Sequence, residues 1–452
     1  MKIKFKNLGP IESGEIDFND LKGINLIIGK NNTGKTYLSN LLYSYFKVRQ
    51  RQDIKMNEVF DINLKKELSN LDYETIKHYF EKKYESEIKN ILPRIFHTSK
   101  DIFKDFKIEV DLSDEILEFK KLDDYTIICF REMKKTIKLK KMQNKIEYLM
   151  EDYDENKGKR YTTYKAKIQE EDAKQFIFGY FLHIKFFQKI YKFHSFPAER
   201  SGAVLFYKQL LEERSDVLRE LELGNSENIG KISRYSEPVN DYVKFLNSIS
   251  DRSKGLTELD IYKKLDTELK EILGGEVIID LEGNIMFRMN EKKIIDIGMV
   301  SSTVKTLTGF YLYLKYFAME RDIIFIDEIE LNLHPENQRK IMKLINYLSK
   351  QGIKFVISTH SPIISEEIDN MLLFEKVKNK ISKEEMKEYQ LNEEYGLKSS
   401  DINVFHLHNK TVEKIKENDG EFEIETFNSV LEETDNLYQT LLFYAEGNNF
   451  GE

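Results

Sequence analysis

Gly29-Lys30-Asn31-Asn32-Thr33-Gly34-Lys35-Thr36 puts two glycines, a lysine and a hydroxyl at the spacing G-x-x-x-x-G-K-[ST]. Glycines at 29 and 34 let the backbone curl, so that successive N–H groups through Asn31, Asn32 and Thr33 aim at one anion. The helix expected to follow presents its positive N-terminus to the same spot. Lys35 would reach the β- and γ-phosphates of a nucleoside triphosphate, and the Thr36 hydroxyl would ligate Mg²⁺. A second stretch, Ile323-Ile324-Phe325-Ile326-Asp327-Glu328, is an apolar strand ending in two carboxylates, the Walker B arrangement. Successive residues at a strand end point differently, so Asp327 can hold a magnesium-bound water while Glu328 faces the attacking water as general base. A third, Phe355 to His360, sets a lone histidine at the end of another strand, 33 residues after Asp327. Open α/β sheets collect ligands at such strand ends, so His360 is expected beside the γ-phosphate as its sensor. His406 and His408 alternate on a tail strand without companions and are not expected to be ligands.

Elements must bring these three stretches together. Lys2 to Phe5 alternates as a strand, turns at Asn7-Leu8-Gly9-Pro10 and resumes near Gly14, which predicts a hairpin. Ile24 to Ile28 reads as a buried strand, and Leu38, Leu41, Leu42, Tyr45 and Phe46 recur at helical spacing. A charged helical stretch over 60–95 precedes short strand candidates at 106–112, 125–130, 135–142, 145–150 and 161–168. Helical patterns are predicted at 170–192, 202–222, 238–250 and 257–273, then strands at 276–280 and 285–289. Ile323–Ile326, a helix opening at Pro335 and stopping at Gly352, and Phe355–Ile357 form a βαβ unit, which makes the two strands parallel. A weak strand is expected at Asn403–His408 and a helix near Phe427–Phe443. The predicted class is α/β, a P-loop fold with a mostly parallel core sheet, an N-terminal antiparallel β lobe and an inserted helical/mixed region. The expected division is 1–50, the first part of the head with the P-loop; 51–195, the insert; 196–275, a helical lobe; 276–375, the rest of the head; and 376–452, a C-terminal extension.

Composition narrows the class. Of 452 residues, 70 are Lys or Arg and 78 Asp or Glu, a net charge of −8, which argues against a polycation that coats nucleic acid. Forty per cent apolar residues, with 30 Phe and 25 Tyr, can fill sizeable cores. The lone Cys129 excludes an intrachain disulfide framework and a cysteine-rich zinc module, and fits a reducing cytoplasm. MKIKFKNLGP lacks an apolar signal core and no run of about 18 apolar residues occurs, so a cytoplasmic protein with no membrane partner is expected.

Together these motifs resemble the ABC-type ATPase head shared by SMC-like, RecF-like and OLD-family proteins. The resemblance runs motif by motif over roughly 1–50 and 195–375. It implies ATP and Mg²⁺ as cofactors and two heads that sandwich the nucleotide, hence a homodimer, with higher assembly open. In that family each head offers a signature loop at a helix start to the other's γ-phosphate. The matching stretch here is Val300-Ser301-Ser302-Thr303-Val304-Lys305, in which Ser301 or Ser302 would cap the helix and offer donors to an anion. It departs from the pattern in having no glycine at 302 or 303. Asp327-Glu328-Ile329-Glu330-Leu331-Asn332-Leu333-His334-Pro335 is similar to the D-E-P-E-x-x-L-H-P of OLD-like and related defence ATPases, with Ile329 replacing proline. That match puts His334 at the D-loop position between heads. Phe196-Pro197-Ala198-Glu199-Arg200-Ser201 resembles a segment recurring in the same ATPases. OLD enzymes also carry a TOPRIM nuclease, for which the ninety residues after Pro362 offer no convincing Asp-x-Asp. The resemblance therefore implies an ATPase without nuclease activity of its own, similar to the ATPase subunits of the Septu and PARIS anti-phage systems, with a nuclease or toxin effector as a separate chain. A RecF-like DNA-maintenance ATPase is the alternative.

Lys134, Lys135, Lys138, Lys140, Lys141 and Lys145, followed by Lys157, Lys159, Arg160, Lys165 and Lys167 with Tyr161 and Tyr164, make DNA or RNA a candidate partner. A solvated strand face explains the same residues.

Overall fold

The computed structural model describes residues 2–50, 73–111, 118–122, 125–130, 135–142, 145–154, 159–169, 192–222, 235–252, 261–389, 391–418, 422 and 436–442. β1 (Lys2–Leu8) and β2 (Ile11–Asp17) form the expected hairpin, with Gly9 at φ 58° in its turn and Asn7 at φ 58° just before the end of β1. Ile3, Phe5 and Leu8 point inward while Lys4 and Lys6 stay exposed, so the alternation read in the sequence is the alternation of the pleat. β3 (Ile24–Gly29) is buried along its whole length and runs through the P-loop into α1 (Lys35–Gln50). α2 (Tyr73–Ile95) packs on α1 and on β4 (Lys107–Asp111), which pairs antiparallel with β1.

β5 (Glu118–Leu122), β6 (Tyr125–Phe130), β7 (Lys135–Met142), β8 (Lys145–Asp154) and β9 (Lys159–Gln169) then form a separate five-stranded sheet in which each strand pairs antiparallel with the next. After β10 (Phe193–Phe196) come α3 (Arg200–Glu222), α4 (Glu237–Arg252) and α5 (Ile261–Leu273). A three-stranded meander follows, β11 (Gly275–Ile279), β12 (Ile285–Met289) and β13 (Ile294–Asp296). The second half of the head is α6 (Ser302–Tyr316), β14 (Ile323–Ile326), α7 (Pro335–Lys350), β15 (Lys354–Thr359), α8 (Pro362–Val377), the short α9 (Lys383–Glu388), β16 (Ile402–His408) and β17 (Thr411–Ile415).

Among the described residues the main sheet has nine strands in the order β10-β14-β15-β3-β16-β17-β2-β1-β4. The first five are mutually parallel; β1, β2 and β4 form the antiparallel flank. Alternate side chains of the central strands feed two cores. Ile24, Leu26, Ile28, Ile324, Ile326, Phe355 and Ile357 face α3 to α8, whereas Ile27, Ile323, Phe325 and Val356 face α1 and α2. Each such side chain contributes on the order of 1.5–3 kcal/mol when fully buried. Asn25 is the polar exception on β3. Its amide donates to the Phe355 carbonyl (3.0 Å), and its Oδ1 accepts from Lys22 N and from Asn403 Nδ2 (3.0 Å each), so a fully buried polar group pins β15, β3 and β16 in register.

Several sequence expectations need correction. Phe193–Phe196, four residues adjoining the predicted 170–192 helix, is a strand on the edge of the main sheet, paired in parallel with β14; residues 170–191 lie outside those described. The strand expected to be weak at 403–408 is buried and parallel to β3, with an unanticipated partner in β17. β4, β10, β16 and β17 thus join the head sheet from stretches assigned by sequence to an insert and an extension. Of the helix expected near 427–443, residues 436–442 are helical and the remainder lies outside the described residues, as do the side chains of Lys135, Lys138, Lys140 and Lys141 on β7. No helix among the described residues is long and apolar enough to cross a membrane.

Candidate nucleotide site

β14, β15 and β3 are neighbours in that order, so the strand carrying His360 lies between the P-loop strand and the strand carrying Asp327. All three run parallel and end on the same edge. The P-loop is shaped by its glycines: a Cβ on Gly29 would lie 2.6 Å from Thr33 Oγ1 and 2.9 Å from the Leu407 carbonyl, and Gly34 has φ +104° with Ile11 against it. Asn31 and Asn32 are exposed on the loop, Asn32 at φ 65°, and Thr33 Oγ1 donates to the Lys30 carbonyl at 2.8 Å. The Lys35 ammonium folds back to donate to the carbonyls of Gly29 (2.8 Å) and Lys30 (2.9 Å). Burial pushes its pKa down, while Glu328, Glu330 and Asp327 pull it up.

The first helical turn of α1 reaches the Walker B strand directly, Thr36 Oγ1 donating to Asp327 Oδ2 at 3.2 Å. The other Asp327 oxygen accepts from the Ser358 hydroxyl at the end of β15. A hydroxyl and a carboxylate side by side are hard oxygen donors, and a Mg²⁺ ion that keeps several waters and takes phosphate oxygens needs few protein ligands. The residues present therefore fit that ion. Glu328 sits at φ 49°, a left-handed backbone that costs a non-glycine residue about 1–2 kcal/mol, and its N–H donates to Ser358 Oγ at 2.9 Å.

Two further residues belong here that sequence reasoning left without a role. Glu330, buried at 8% exposure, accepts from Thr359 Oγ1 (2.8 Å) and from the backbone N–H of His360 (2.7 Å), and lies 2.8 Å from His360 Nδ1. It sets the direction of the half-exposed imidazole. Arg200, 2% exposed at the start of α3, donates to the carbonyls of Pro197 (3.1 Å), Asp327 (2.6 Å) and Glu328 (2.7 Å). Burial pushes its guanidinium pKa down against the pull of the Tyr242 phenol and of the Asp327, Glu330 and Glu328 carboxylates. Both residues stood inside the motif stretches quoted from the sequence, but their partners are visible only in three dimensions.

Lys35, Thr36, Asp327, Glu328 and His360 are thus brought together. Ser301, Ser302 and His334 form a second group. Ser301 caps α6 by accepting from Val304 N (3.3 Å), Ser302 opens that helix, and His334 caps α7 through Nδ1 to Glu336 N (3.4 Å). Thr303 Oγ1 donates to the Asn332 carbonyl (2.7 Å) and Asn332 Nδ2 to Thr306 Oγ1 (3.0 Å), tying the two caps together. All three side chains are exposed, and among the described residues none shares a hydrogen bond with the P-loop of its own chain.

Residues 1–365 match the family model described as an AAA ATPase domain. No curated protein matches. Solved structures that align include an SmcHead bound to the C-winged helix domain of ScpA, at 11% identity over 92% of this chain and 96% of that one with a TM-score of 0.33. An SMC head domain from Thermotoga maritima aligns at 10% identity, 92% and 98% coverage and TM-score 0.27. An Smc head domain with an extended coiled coil, bound to the C-terminal domain of ScpA derived from Pyrococcus furiosus, aligns at 11% identity, 96% and 98% coverage and TM-score 0.32.

Proposed function

The chain belongs to the AAA ATPase domain family, and on that premise we propose that it binds ATP at the P-loop and hydrolyses it. The observation that carries this reading is the convergence of Lys35, Thr36, Asp327, Glu328 and the Glu330–His360 pair on one edge of three adjacent parallel strands. Lys35 and the loop N–H groups hold the phosphates. Thr36 and Asp327 would hold Mg²⁺, which would supply charge neutralisation on the phosphates. Glu328 takes a proton from the attacking water as the water oxygen bonds to the γ-phosphorus and the bond to ADP breaks. His360, aimed by Glu330, senses the γ-phosphate. Glu328→Gln should cut turnover by roughly 10²- to 10⁴-fold while labelled ATP is still retained. Normal turnover by that variant would remove Glu328 from the role of base.

Ser301, Ser302 and His334 are exposed where a second copy can meet them, which supports a head-to-tail homodimer closed around two nucleotides. The D-E-I-E-L-N-L-H-P stretch supports a finer reading as the cytoplasmic sensor subunit of an anti-phage complex that controls a separate nuclease or toxin. Co-purification from the native host, identifying the retained protein, tests this. Hydrolysis that instead rises sharply with DNA, and falls again with salt, would favour the DNA-maintenance reading.

A further inference from the structure

Arg200 is buried without a carboxylate partner in hydrogen-bond geometry among the described residues; its donors go to three neutral backbone carbonyls. A buried cation is costly to desolvate, and an apolar side chain of similar volume would fill the space more cheaply. What an apolar chain cannot do is hold two successive carbonyls in one fork. The two that Arg200 holds lie on either side of the Glu328 Cα, the first in the Asp327–Glu328 peptide and the second in the peptide that follows, and Glu328 is the one Walker B residue in a left-handed conformation. Ser358 holds the same residue from the other side through its N–H. The planar guanidinium matches this spacing; a lysine ammonium, a point charge on a flexible stem, does not.

We propose that Arg200 is a positioning residue which fixes Glu328 in its left-handed backbone conformation and so aims the general base. The proposal rests on the assignment of Glu328 made above. It also makes α3 part of the catalytic apparatus. Arg200 is that helix's first residue, and Tyr242 of α4 packs against Phe196 of the adjoining strand, so movement of the helical lobe would be felt at the base.

The test is a double-mutant cycle between Arg200→Lys and Glu328→Gln, read as kcat, KM and retention of labelled ATP, with thermal melting of each variant. If Arg200 acts through Glu328, Arg200→Lys lowers kcat by about 100-fold in the otherwise native chain with KM within about 3-fold, and by less than about 3-fold when Glu328 is already Gln. Arg200→Gln, which removes the buried charge and keeps donors, repeats the cycle and replaces the lysine variant should that variant melt early. Equal losses in both backgrounds overturn the proposal, as does an unchanged kcat in either Arg200 variant. The Glu328→Gln single variant reports separately on the base: full turnover there overturns that assignment, whatever Arg200 does.

Discussion

Glu330 and His360 illustrate what one buried carboxylate controls. Its two oxygens are occupied by Thr359 Oγ1, His360 N–H and His360 Nδ1. On the role proposed for His360, Glu330→Gln should leave nucleotide binding close to native and lower kcat by roughly 10- to 100-fold, because misplacing the imidazole costs geometry rather than affinity. An equal loss in binding would show that the carboxylate serves the loop instead. Asp322, remote from the chemistry, offers a pH test. Burial raises its pKa to about 6, while the Tyr313 hydroxyl (2.8 Å) and Met319 N–H (3.1 Å) donate to its carboxylate. A folded pKa above the unfolded value means that its stabilising contribution is present below about pH 4 and is lost as pH rises through 6, by about 3 kcal/mol. Denaturation of Asp322→Asn beside the native chain at pH 4, 5, 6 and 7 should show the variant gaining relative stability over that window. A pH-independent difference would contradict the shift. The P-loop stretch was legible in the sequence because its spacing is local. Arg200 and Glu330 were not, because the first finds its carbonyls 127 and 128 residues away and the second finds its histidine 30 residues on.

Helices and strands were legible where one face repeats. Along α7, Ile341, Leu344, Ile345 and Leu348 recur at helical spacing in the sequence and are all buried. β10 was hidden because Phe-His-Ser-Phe is short and polar in the middle, and β16 read only as a weak strand because it carries Asn403 and His406 among its apolar residues. Gly309, in the middle of α6, answers to packing rather than propensity. A Cβ there would lie 2.1 Å from the Tyr242 hydroxyl and 2.6 Å from its ring, so the glycine lets α4 and α6 touch. Gly309→Ala should destabilise by about 1–3 kcal/mol despite alanine's better helix propensity, and Tyr242→Phe should restore part of the loss, both read by urea unfolding. A stabilised Gly309→Ala variant would mean that the helices can part freely.

At the scale of the molecule, β16 makes the C-terminal part of the chain a structural part of the head. Removing everything after Lys398 would leave β3, which carries the P-loop, as an edge strand with Asn25 stripped of Asn403. That truncation should be insoluble or fail to bind ATP. Truncation after Phe422 should melt within a few degrees of the full chain, since Phe422 is buried while Leu437, Tyr438 and Leu441 are exposed; a large drop would give the removed residues a role in the fold. The same arrangement has a consequence for biosynthesis. Asn25 and Asn403 are 378 positions apart, so at 5–20 residues per second β3 leaves the ribosome roughly 20 to 75 s before β16 does. Until β15 and then β16 follow, an apolar ribbon waits with first both sides and then one side unpaired, and a prematurely terminated polypeptide should be a client for chaperones and proteases.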